Sequence, residues 1–335
     1  MIDPGGKDPM KRAAVALVAL AAMTGCATAE PAPAAAAPIS IPVAADESLT
    51  INAGFEGAMK SAEERQRVFD DPASSVILTG GFVQGGLLRG QTLPGAKAML
   101  DGEPIPVAAD GKFLIGFGRD HGASALLVVT LDDGSVVRRA IDVADREFRI
   151  EKIDGLDQSK VSGFTEEQLA KIAGDKEKKA AARRQRSDDP MWATDFAWPV
   201  TGRVSGVFGS QRILNGEPQN MHGGVDVAAP AGTPIRAPAP GIVRLAEPDM
   251  YFEGGLVFLD HGQMLESAFM HLSRLDVKPG DRVEKGQVIG AVGATGRATG
   301  PHMHWSLKWA DSLVDPQLVA GEMPAAEATP AAAGN

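Results

Sequence analysis

The sequence contains a single cysteine, Cys26, among its 335 residues. An intramolecular disulfide framework is therefore excluded, and so is every zinc site that needs several cysteines. Any metal ion has to be held by histidine and carboxylate side chains instead.

Basic residues are outnumbered by acidic ones. The chain has 33 Lys and Arg against 43 Asp and Glu, with a formal net charge of −10 and a pI near 5.2. No nucleic-acid partner is expected, because phosphate backbones are bound by basic patches. The length allows two ordinary globular domains plus tails.

Long apolar runs are also missing, and the run near the N-terminus is short. Lys11 and Arg12 precede apolar residues 13–23, which are followed by Thr24-Gly25-Cys26. A bilayer-spanning helix needs about 20 apolar residues, so a transmembrane anchor is disfavoured. Residues 1–26 resemble a bacterial lipoprotein signal peptide, and simple secretion is the alternative. The resemblance implies a lipid anchor on Cys26 and a periplasmic location at the outer membrane.

Composition predicts three segments without a large core. Residues 27–46 are almost all Ala and Pro and predict an extended tether. Residues 47–74 contain a stretch that could form a short helix, with no function assigned. Residues 321–335 return to Ala, Pro and Glu and predict a disordered tail.

Residues 75–153 carry short β-type runs separated by Gly, Asp and Pro. Asp110-Gly111 and Asp133-Gly134 are typical of hairpin turns. The spacing predicts a small antiparallel sandwich of immunoglobulin-like type. Its one histidine, His121, is interpreted as a solvated loop residue, so this domain is expected to be a spacer or binding module.

Residues 154–190 predict a helical connector. Thr165 and Gln168 have the spacing of a capping box, so a helix should start at this point. Its apolar stripe is narrow and its other positions are charged, which predicts a solvated helix ending near Ser187. From 191 to 320, short Val- and Ile-rich runs interrupted by Gly and Pro predict an all-β domain. The predicted fold class is therefore mostly β.

Five of the six histidines lie between positions 222 and 304. His222 and Asp226 are spaced as i and i+4, but Gly223, Gly224 and the β-branched Val225 oppose a helix. On a straight strand the two side chains would lie roughly 13 Å apart. Zinc bonds of about 2.0–2.2 Å require a sharp bend, which the glycine pair permits.

The third donor comes from residues 302–309. Strand alternation sends His302, His304, Ser306 and Lys308 to one face and the apolar side chains to the other. One of the two histidines can therefore bind metal while its neighbour contacts substrate. His271 lies in a similar apolar-flanked run, whereas His261 is interpreted as a strand-end turn residue.

Two histidines and one aspartate leave a fourth position open on zinc, which is typical of catalytic rather than structural sites. Zinc chemistry on a peptide carbonyl then needs proton transfer and stabilisation of an oxyanion. The two remaining histidines suit those tasks.

These residues resemble the lysostaphin-like (LytM-type) zinc metallopeptidases, the peptidase family M23 that cuts peptidoglycan peptides. The resemblance rests on the following stretches: His222–Pro230, Gly232–Pro234, Ala237–Gly241, Met270–Ser273, Gly286–Gly290 and Thr295–His304. It implies Zn²⁺ held by His222, Asp226 and His304, with His271 and His302 as the catalytic pair. It also implies an antiparallel β groove of the duplicated hybrid motif type, open to an extended peptide.

Two features depart from the family pattern. Several members have a tyrosine shortly before the first ligand, whereas the single tyrosine here, Tyr251, lies well after it. The Gly209 to Asn220 loop, which contains Arg212, differs from shorter forms and is expected to shape the groove. Arg297 could contact a substrate carboxylate or only the turn backbone.

The resemblance leads to a predicted function with alternatives. The first is a zinc endopeptidase that hydrolyses peptide bonds of peptidoglycan stem peptides or cross-links; a protein regulator is also expected, because such an enzyme could lyse its own cell. The second is a non-catalytic module that activates a cell-wall amidase, which the complete ligand set disfavours. The third is a biotinyl or lipoyl carrier, suggested by Val277–Gly290, but no lysine lies at a hairpin tip there.

Overall fold

The computed structural model of this chain describes residues 75–154, 158 and 161–325. The predicted signal peptide with its lipid anchor, the tether, the 47–74 stretch and residues 326–335 of the tail lie outside the described residues. Within the described part, neither helix combines the length and the apolar character that crossing a bilayer requires.

The described chain is mostly β, as predicted, and it has two helices. In chain order the elements are β1 Ile77–Gly80, β2 Leu87–Gln91, β3 Lys97–Leu100, β4 Glu103–Ile105, β5 Lys112–Gly116, β6 Ser124–Thr130, β7 Val136–Asp142, β8 Ile150–Ile153, α1 Glu166–Arg183, β9 Arg203–Gly206, β10 Gln211–Leu214, β11 Glu217–Met221, β12 Val225–Ala228, β13 Pro234–Arg236, β14 Gly241–Met250, β15 Gly254–Gly262, β16 Leu265–Leu272, β17 Arg274–Leu275, β18 Arg282–Val283, β19 Val288–Ala291, β20 His302–Trp309, β21 Ser312–Val314 and α2 Pro316–Ala320.

The first seven strands form two antiparallel sheets, in the orders β1-β2-β5 and β4-β3-β6-β7. Alternation in β6 buries Ala125, Leu127 and Val129 between the sheets. Immunoglobulin domains order their strands A-B-E and C-F-G in the same way, although β4 here pairs with β3 rather than with β5. The strand order supports the predicted immunoglobulin-like sandwich.

The second β region is built on an eight-stranded sheet with the order β18-β14-β15-β16-β20-β12-β9, in which β21 also pairs with β20. All residues of β15 are buried, and this strand is paired on both sides, with β14 and with β16. The apolar face of β20 packs as predicted: Trp305 is fully buried and stacks on Phe269 of β16 at 6.5 Å between ring centroids. This sheet carries four of the five predicted site residues: Asp226, His271, His302 and His304.

A separate three-stranded sheet, β11-β10-β8, joins the two regions. Strand β8 falls within the predicted 75–153 domain, yet it pairs in parallel with β10, and β10 forms a hairpin with β11. The hairpin corresponds to the loop expected to shape the groove, and it leads directly into His222. The upstream β region therefore supplies a strand to the element that precedes the site.

Helix α1 confirms the capping box, because Thr165 accepts from the Gln168 backbone and the Gln168 side chain accepts from the Thr165 N–H. The helix ends at Arg183, not near Ser187 as predicted, because the Ser187 N–H donates to Asp260 of β15 at 2.8 Å and draws the chain onto the sheet. Most of α1 is exposed, but its basic side chains pair with acidic residues of the sheet region. These ion pairs are Lys171–Asp249, Lys178–Glu247, Lys179–Glu253 and Arg183–Glu266.

Candidate metal centre and catalytic site

The structure brings the three predicted metal ligands together at one point. Oδ1 of Asp226 lies 3.0 Å from Nε2 of His222 and 2.7 Å from Nδ1 of His304, and the two ring nitrogens are 2.9 Å apart. All three side chains are buried. Among the residues that the structure describes, they are the one cluster of three or more potential metal donors.

Two local features of the sequence create this convergence. Asp226 on β12 pairs directly with His304 on β20, so both side chains lie on the same face of the sheet. His222 reaches them because the chain bends through Gly223 and Gly224 instead of continuing as a strand, as predicted. A Cβ at Gly224 would lie 2.2 Å from the Trp305 carbonyl oxygen, so only glycine fits this bend.

Hydrogen bonds at the remote ring nitrogens hold the two ligand imidazoles in place. Nδ1 of His222 donates to the Val207 carbonyl at 2.9 Å, which leaves its Nε2 lone pair facing the cluster. Nε2 of His304 lies 2.7 Å from the Ser306 hydroxyl, which leaves Nδ1 as the donor to a metal. Such outer partners fix the tautomer and orientation of metal-binding histidines.

Electrostatics keep the donors in their metal-binding protonation states. Burial raises the pKa of Asp226, but the close contacts of its carboxylate with the ring nitrogens of His222 and His304 outweigh burial and hold that pKa well below its usual range. Burial lowers the pKa of His304. The carboxylate is therefore ionised and the His304 ring is neutral at neutral pH, as metal ligation requires.

The donor set fits Zn²⁺. A tetrahedral zinc ion with bonds of about 2.0–2.2 Å keeps its ligand atoms about 3.4 Å apart, so the observed triangle needs to open by only about half an ångström on each edge. Two imidazoles and one carboxylate are ligands that zinc prefers, and three protein ligands leave a position for water or substrate.

The two predicted catalytic histidines lie next to this cluster. The rings of His271 and His302 are 4.7 Å apart between centroids, and the His271 ring is 6.4 Å from that of His304. Nδ1 of His271 donates to the Thr295 carbonyl and Nδ1 of His302 to the Gly300 carbonyl, at 2.9 and 2.8 Å. Because a carbonyl can only accept, the neutral form of either ring has an unprotonated Nε2 that can accept a proton.

His271 reaches the site through an unusual backbone conformation. Its neighbour Met270 pairs with His304, so strict alternation would send His271 to the opposite, packed face of the sheet. The φ angle of His271 is +67°, which breaks the alternation. Burial lowers the pKa of this ring to about 3, so it is neutral at physiological pH.

The structure places the remaining candidates outside the metal cluster. The Arg297 backbone donates to the Phe252 carbonyl, and its guanidinium lies over the Phe252 ring at 4.6 Å. The Tyr251 ring packs edge-on against Phe252, and its backbone N–H donates to Asp175 of α1. His261 is fully buried at the end of β15, where it lies 2.7 Å from the Pro240 carbonyl and 2.8 Å from the Ser267 hydroxyl.

One contact to the ligand set was not anticipated from the sequence. Nη2 of Arg212, on β10, donates to Oδ2 of Asp226 at 2.5 Å. The sequence places Arg212 only in a loop that is expected to shape the groove. No local pattern indicates this contact, because it depends on how the hairpin folds back over β12.

Comparisons with known proteins agree with this site. The sequence profile described as Peptidase family M23 matches residues 220–316. Peptidoglycan DD-endopeptidase ShyA of Vibrio cholerae serotype O1 is 31% identical over 217 residues, which cover 61% of this chain and 50% of that protein. DD-carboxypeptidase/endopeptidase Mpg of Neisseria meningitidis serogroup B is 37% identical over 132 residues, which cover 39% of this chain and 30% of that protein. This chain therefore spans half or less of the length of these curated relatives.

A solved structure extends the similarity upstream of the profile match. The crystal structure of a candidate M23 peptidase from Pseudomonas aeruginosa is 32% identical to this chain and superposes with a TM-score of 0.54. The superposition covers 76% of this chain and 97% of that one. The similarity thus includes most of the described residues and not only the metal centre.

Proposed function

Because the chain belongs to peptidase family M23, we propose that it is a zinc-dependent endopeptidase that hydrolyses peptide bonds of peptidoglycan stem peptides or their cross-links. One observation carries the proposal: three ionisable side chains from two distant parts of the chain converge as metal donors, with two further histidines beside them. The names of the relatives, which include peptidoglycan DD-endopeptidases, support the substrate class.

His222, Asp226 and His304 would hold the ion in this proposal. A zinc ion bound there supplies Lewis-acid activation of a water molecule and of the scissile carbonyl. The remaining steps belong to the side chains of the chain itself, and they require groups that accept, hold and return a proton.

His271 and His302 are suited to those proton transfers. Each ring donates through Nδ1 to a backbone carbonyl and leaves Nε2 free of a proton. One ring takes a proton from the attacking water as the C–O bond forms, and a ring then returns a proton to the leaving amine as the C–N bond breaks. A protonated ring that faces the carbonyl also stabilises the negative charge on the tetrahedral oxyanion.

The alternative role, a non-catalytic activator of a cell-wall amidase, has no observation in its favour. An activator does not need metal donors, and the five predicted residues are all present and adjacent here. We propose that the protein acts in the periplasm, tethered through a lipid on Cys26, because residues 1–26 resemble a lipoprotein signal peptide.

The test is digestion of purified peptidoglycan by the chain that begins at Ala27, with and without a metal chelator, followed by mass spectrometry of the products. Cross-linked muropeptides should be converted to uncross-linked ones, with intact glycan bonds. The chelator should abolish the conversion, and added Zn²⁺ should restore it. Stem peptides and cross-links that both stay uncut, or products cut in the glycan or at the amide to the sugar, would refute the proposal.

A further inference from the structure

Arg212 connects the metal ligand Asp226 to a strand that lies outside the matched family region. The two oxygens of Asp226 have separate partners: Oδ1 faces His222 and His304, whereas Oδ2 accepts from Nη2 of Arg212 at 2.5 Å. The side chain of Asp226 is 8% exposed and that of Arg212 is 25% exposed. The carboxylate is therefore held with one defined oxygen toward the metal position.

Arg212 is held in turn by the upstream β region. Strand β8 pairs in parallel with β10, and in that register Glu151 is the direct neighbour of Arg212. Oε2 of Glu151 lies 3.6 Å from Nε of Arg212, a buried atom that has no hydrogen-bond partner among the described residues. Glu151 and Arg212 both precede residues 220–316, the part that matches the family profile.

The sequence also leaves room for this ion pair. Gly206 on β9 pairs with Asp226, and a Cβ there would lie 2.5 Å from Oδ2 of Asp226 and 2.9 Å from Nη2 of Arg212. Any larger residue would push the guanidinium and the carboxylate apart. Three elements therefore determine the position of this carboxylate oxygen. Strand β10 supplies the arginine that binds it, β8 supplies the partner of that arginine, and β9 leaves the space for the pair.

We infer that Arg212, supported by Glu151, is a positioning residue that orients Asp226 for metal binding, so that the metal centre depends on strand β8. Two effects of Arg212 oppose each other. Its positive charge repels a divalent cation, whereas its hydrogen bond fixes the ligand carboxylate. The second effect dominates because Glu151 offsets the charge of Arg212, and because outer partners of metal ligands generally raise affinity by about tenfold to 100-fold.

This inference shares with the proposed function only the requirement that the chain binds Zn²⁺. It is therefore tested by measuring the affinity for that ion. The dissociation constant for Zn²⁺ is measured by competition with a chromophoric chelator, and the visible spectrum of the Co²⁺ form reports the ligand geometry. Arg212→Gln is expected to raise the Zn²⁺ Kd by about tenfold to 100-fold and to change the Co²⁺ spectrum. Arg212→Lys keeps the charge without the guanidinium geometry, so it should recover only part of the affinity.

The role of Glu151 is tested by a double-mutant cycle. Glu151→Gln should raise the Zn²⁺ Kd about threefold in the parent chain, as expected for a partly exposed ion pair. In the Arg212→Gln background the same substitution should have an effect of less than about twofold, because its partner is gone. Equal effects of Glu151→Gln in both backgrounds would contradict the coupling.

Arg244→Gln is the matched control, because Arg244 makes a similar ion pair with Asp260 at 2.7 Å in the same sheet. It should lower the melting temperature without changing the Zn²⁺ Kd. The inference fails if Arg212→Gln and Arg212→Lys keep the parent Kd within twofold together with the parent Co²⁺ spectrum. If Arg212→Gln does not fold, Arg212→Lys and Gly206→Ala decide the matter, and Gly206→Ala is also expected to weaken binding. A parent chain that binds Zn²⁺ but leaves peptidoglycan intact would refute the proposed function and not this inference.

Discussion

Each histidine of the site has a role that is set by the partner of its other ring nitrogen. His222 and His304 present opposite nitrogens to the cluster, because Val207 binds Nδ1 of the first and Ser306 contacts Nε2 of the second. His271 and His302 are both fixed by backbone carbonyls at Nδ1. Each ring is thus held in a defined orientation, which in the proposed function serves metal binding for two of them and proton transfer for the other two.

Substitutions of these histidines should separate metal binding from proton transfer. His304→Ala removes a ligand, so bound zinc and peptidase activity should be lost together, with a rise in Kd above about 100-fold. His271→Ala should keep the metal and lower kcat/KM by about 10²–10⁴-fold, the usual contribution of a general acid or base. Metal content after dialysis and the cleavage rate, measured on the same samples, check both outcomes. Equal loss of zinc in the two variants would contradict the assigned roles.

His261 predicts a pH dependence of stability that is independent of the metal centre. Burial lowers the pKa of this ring to about 4 from its usual 6.5. Between pH 6.5 and pH 4 the unfolded chain therefore binds more protons at this residue than the folded chain, so stability falls as pH falls through that window. Above pH 6.5 the contribution is constant. The full loss amounts to about 3 kcal/mol.

The measurement compares His261→Gln with the parent chain by chemical denaturation at several pH values. The substitution removes the titration but adds a pH-independent cost from the lost hydrogen bonds to Pro240 and Ser267. The difference in unfolding free energy between the two chains should therefore shrink by about 3 kcal/mol from pH 7 to pH 4. A difference that stays constant with pH would show that His261 does not titrate as described.

At the scale of elements, the metal donors can meet only because the bend at Gly224 lies very close to β20. A Cβ at Gly224 would lie 2.2 Å from the Trp305 carbonyl oxygen and 2.9 Å from Nε2 of His304. Both contacts involve atoms that cannot move without disturbing the β12–β20 pair or a metal ligand. The bend and the strand therefore tolerate no side chain between them.

Gly224→Ala is expected to lower the unfolding free energy by about 1–3 kcal/mol, the usual cost of overpacking, and to weaken zinc binding. Gly174→Ala in α1 serves as the control, because nothing lies within 4 Å of the added Cβ. That control should stabilise the chain by about 0.5–1 kcal/mol, because alanine favours a helix more than glycine does. Thermal unfolding with and without zinc measures both changes. Unchanged stability of Gly224→Ala would mean that the strands can separate freely at this point.

Sequence patterns predicted the strands and the residues that converge at the site, but they missed the contacts between elements. Alternation in residues 302–309 correctly gave a packed face and a polar face, and the glycine pair correctly indicated the bend after His222. The left-handed backbone of His271 breaks the side-chain alternation of β16, and no residue pattern signals such a break. The contact of α1 with the large sheet could not be predicted either. It depends on ion pairs with residues far along the chain, and the hydrophobic pattern of the helix does not indicate them.

At the scale of the whole molecule, the upstream β region contacts the metallopeptidase region through an ion pair whose acidic partner is buried. Nη2 of Arg146 lies 3.0 Å from Oδ2 of Asp315, whose side chain is 3% exposed. Asp315 also donates its backbone N–H to the Gly85 carbonyl at 2.7 Å and caps α2. The parallel β8–β10 pair provides a second connection. Sequence could not reveal either one, because the paired residues lie far apart along the chain.

Arg146→Ala should therefore destabilise the molecule as a unit. The loss is expected to be about 2–3 kcal/mol, near the low end for a buried ion pair because the Arg146 side chain is 29% exposed. The matched control is Lys112→Ala, whose pair with Asp110 is exposed on both sides and should contribute less than about 1 kcal/mol. Denaturant unfolding followed by fluorescence measures the difference. Equal losses in the two variants would show that the Arg146–Asp315 contact does not hold the regions together.

The direct pairing of Asp226 with His304 also means that a metal ion should stabilise the correct alignment of β12 and β20 more than an incorrect one. A chain that aligned β12 and β20 one residue out of step would turn one donor toward the packed side of the sheet. That misaligned form lacks a complete set of donors, so added metal stabilises only the correct alignment. At a free metal concentration 100 times the Kd, the advantage amounts to about 2.7 kcal/mol. Zinc supplied during refolding is therefore expected to favour the native strand alignment.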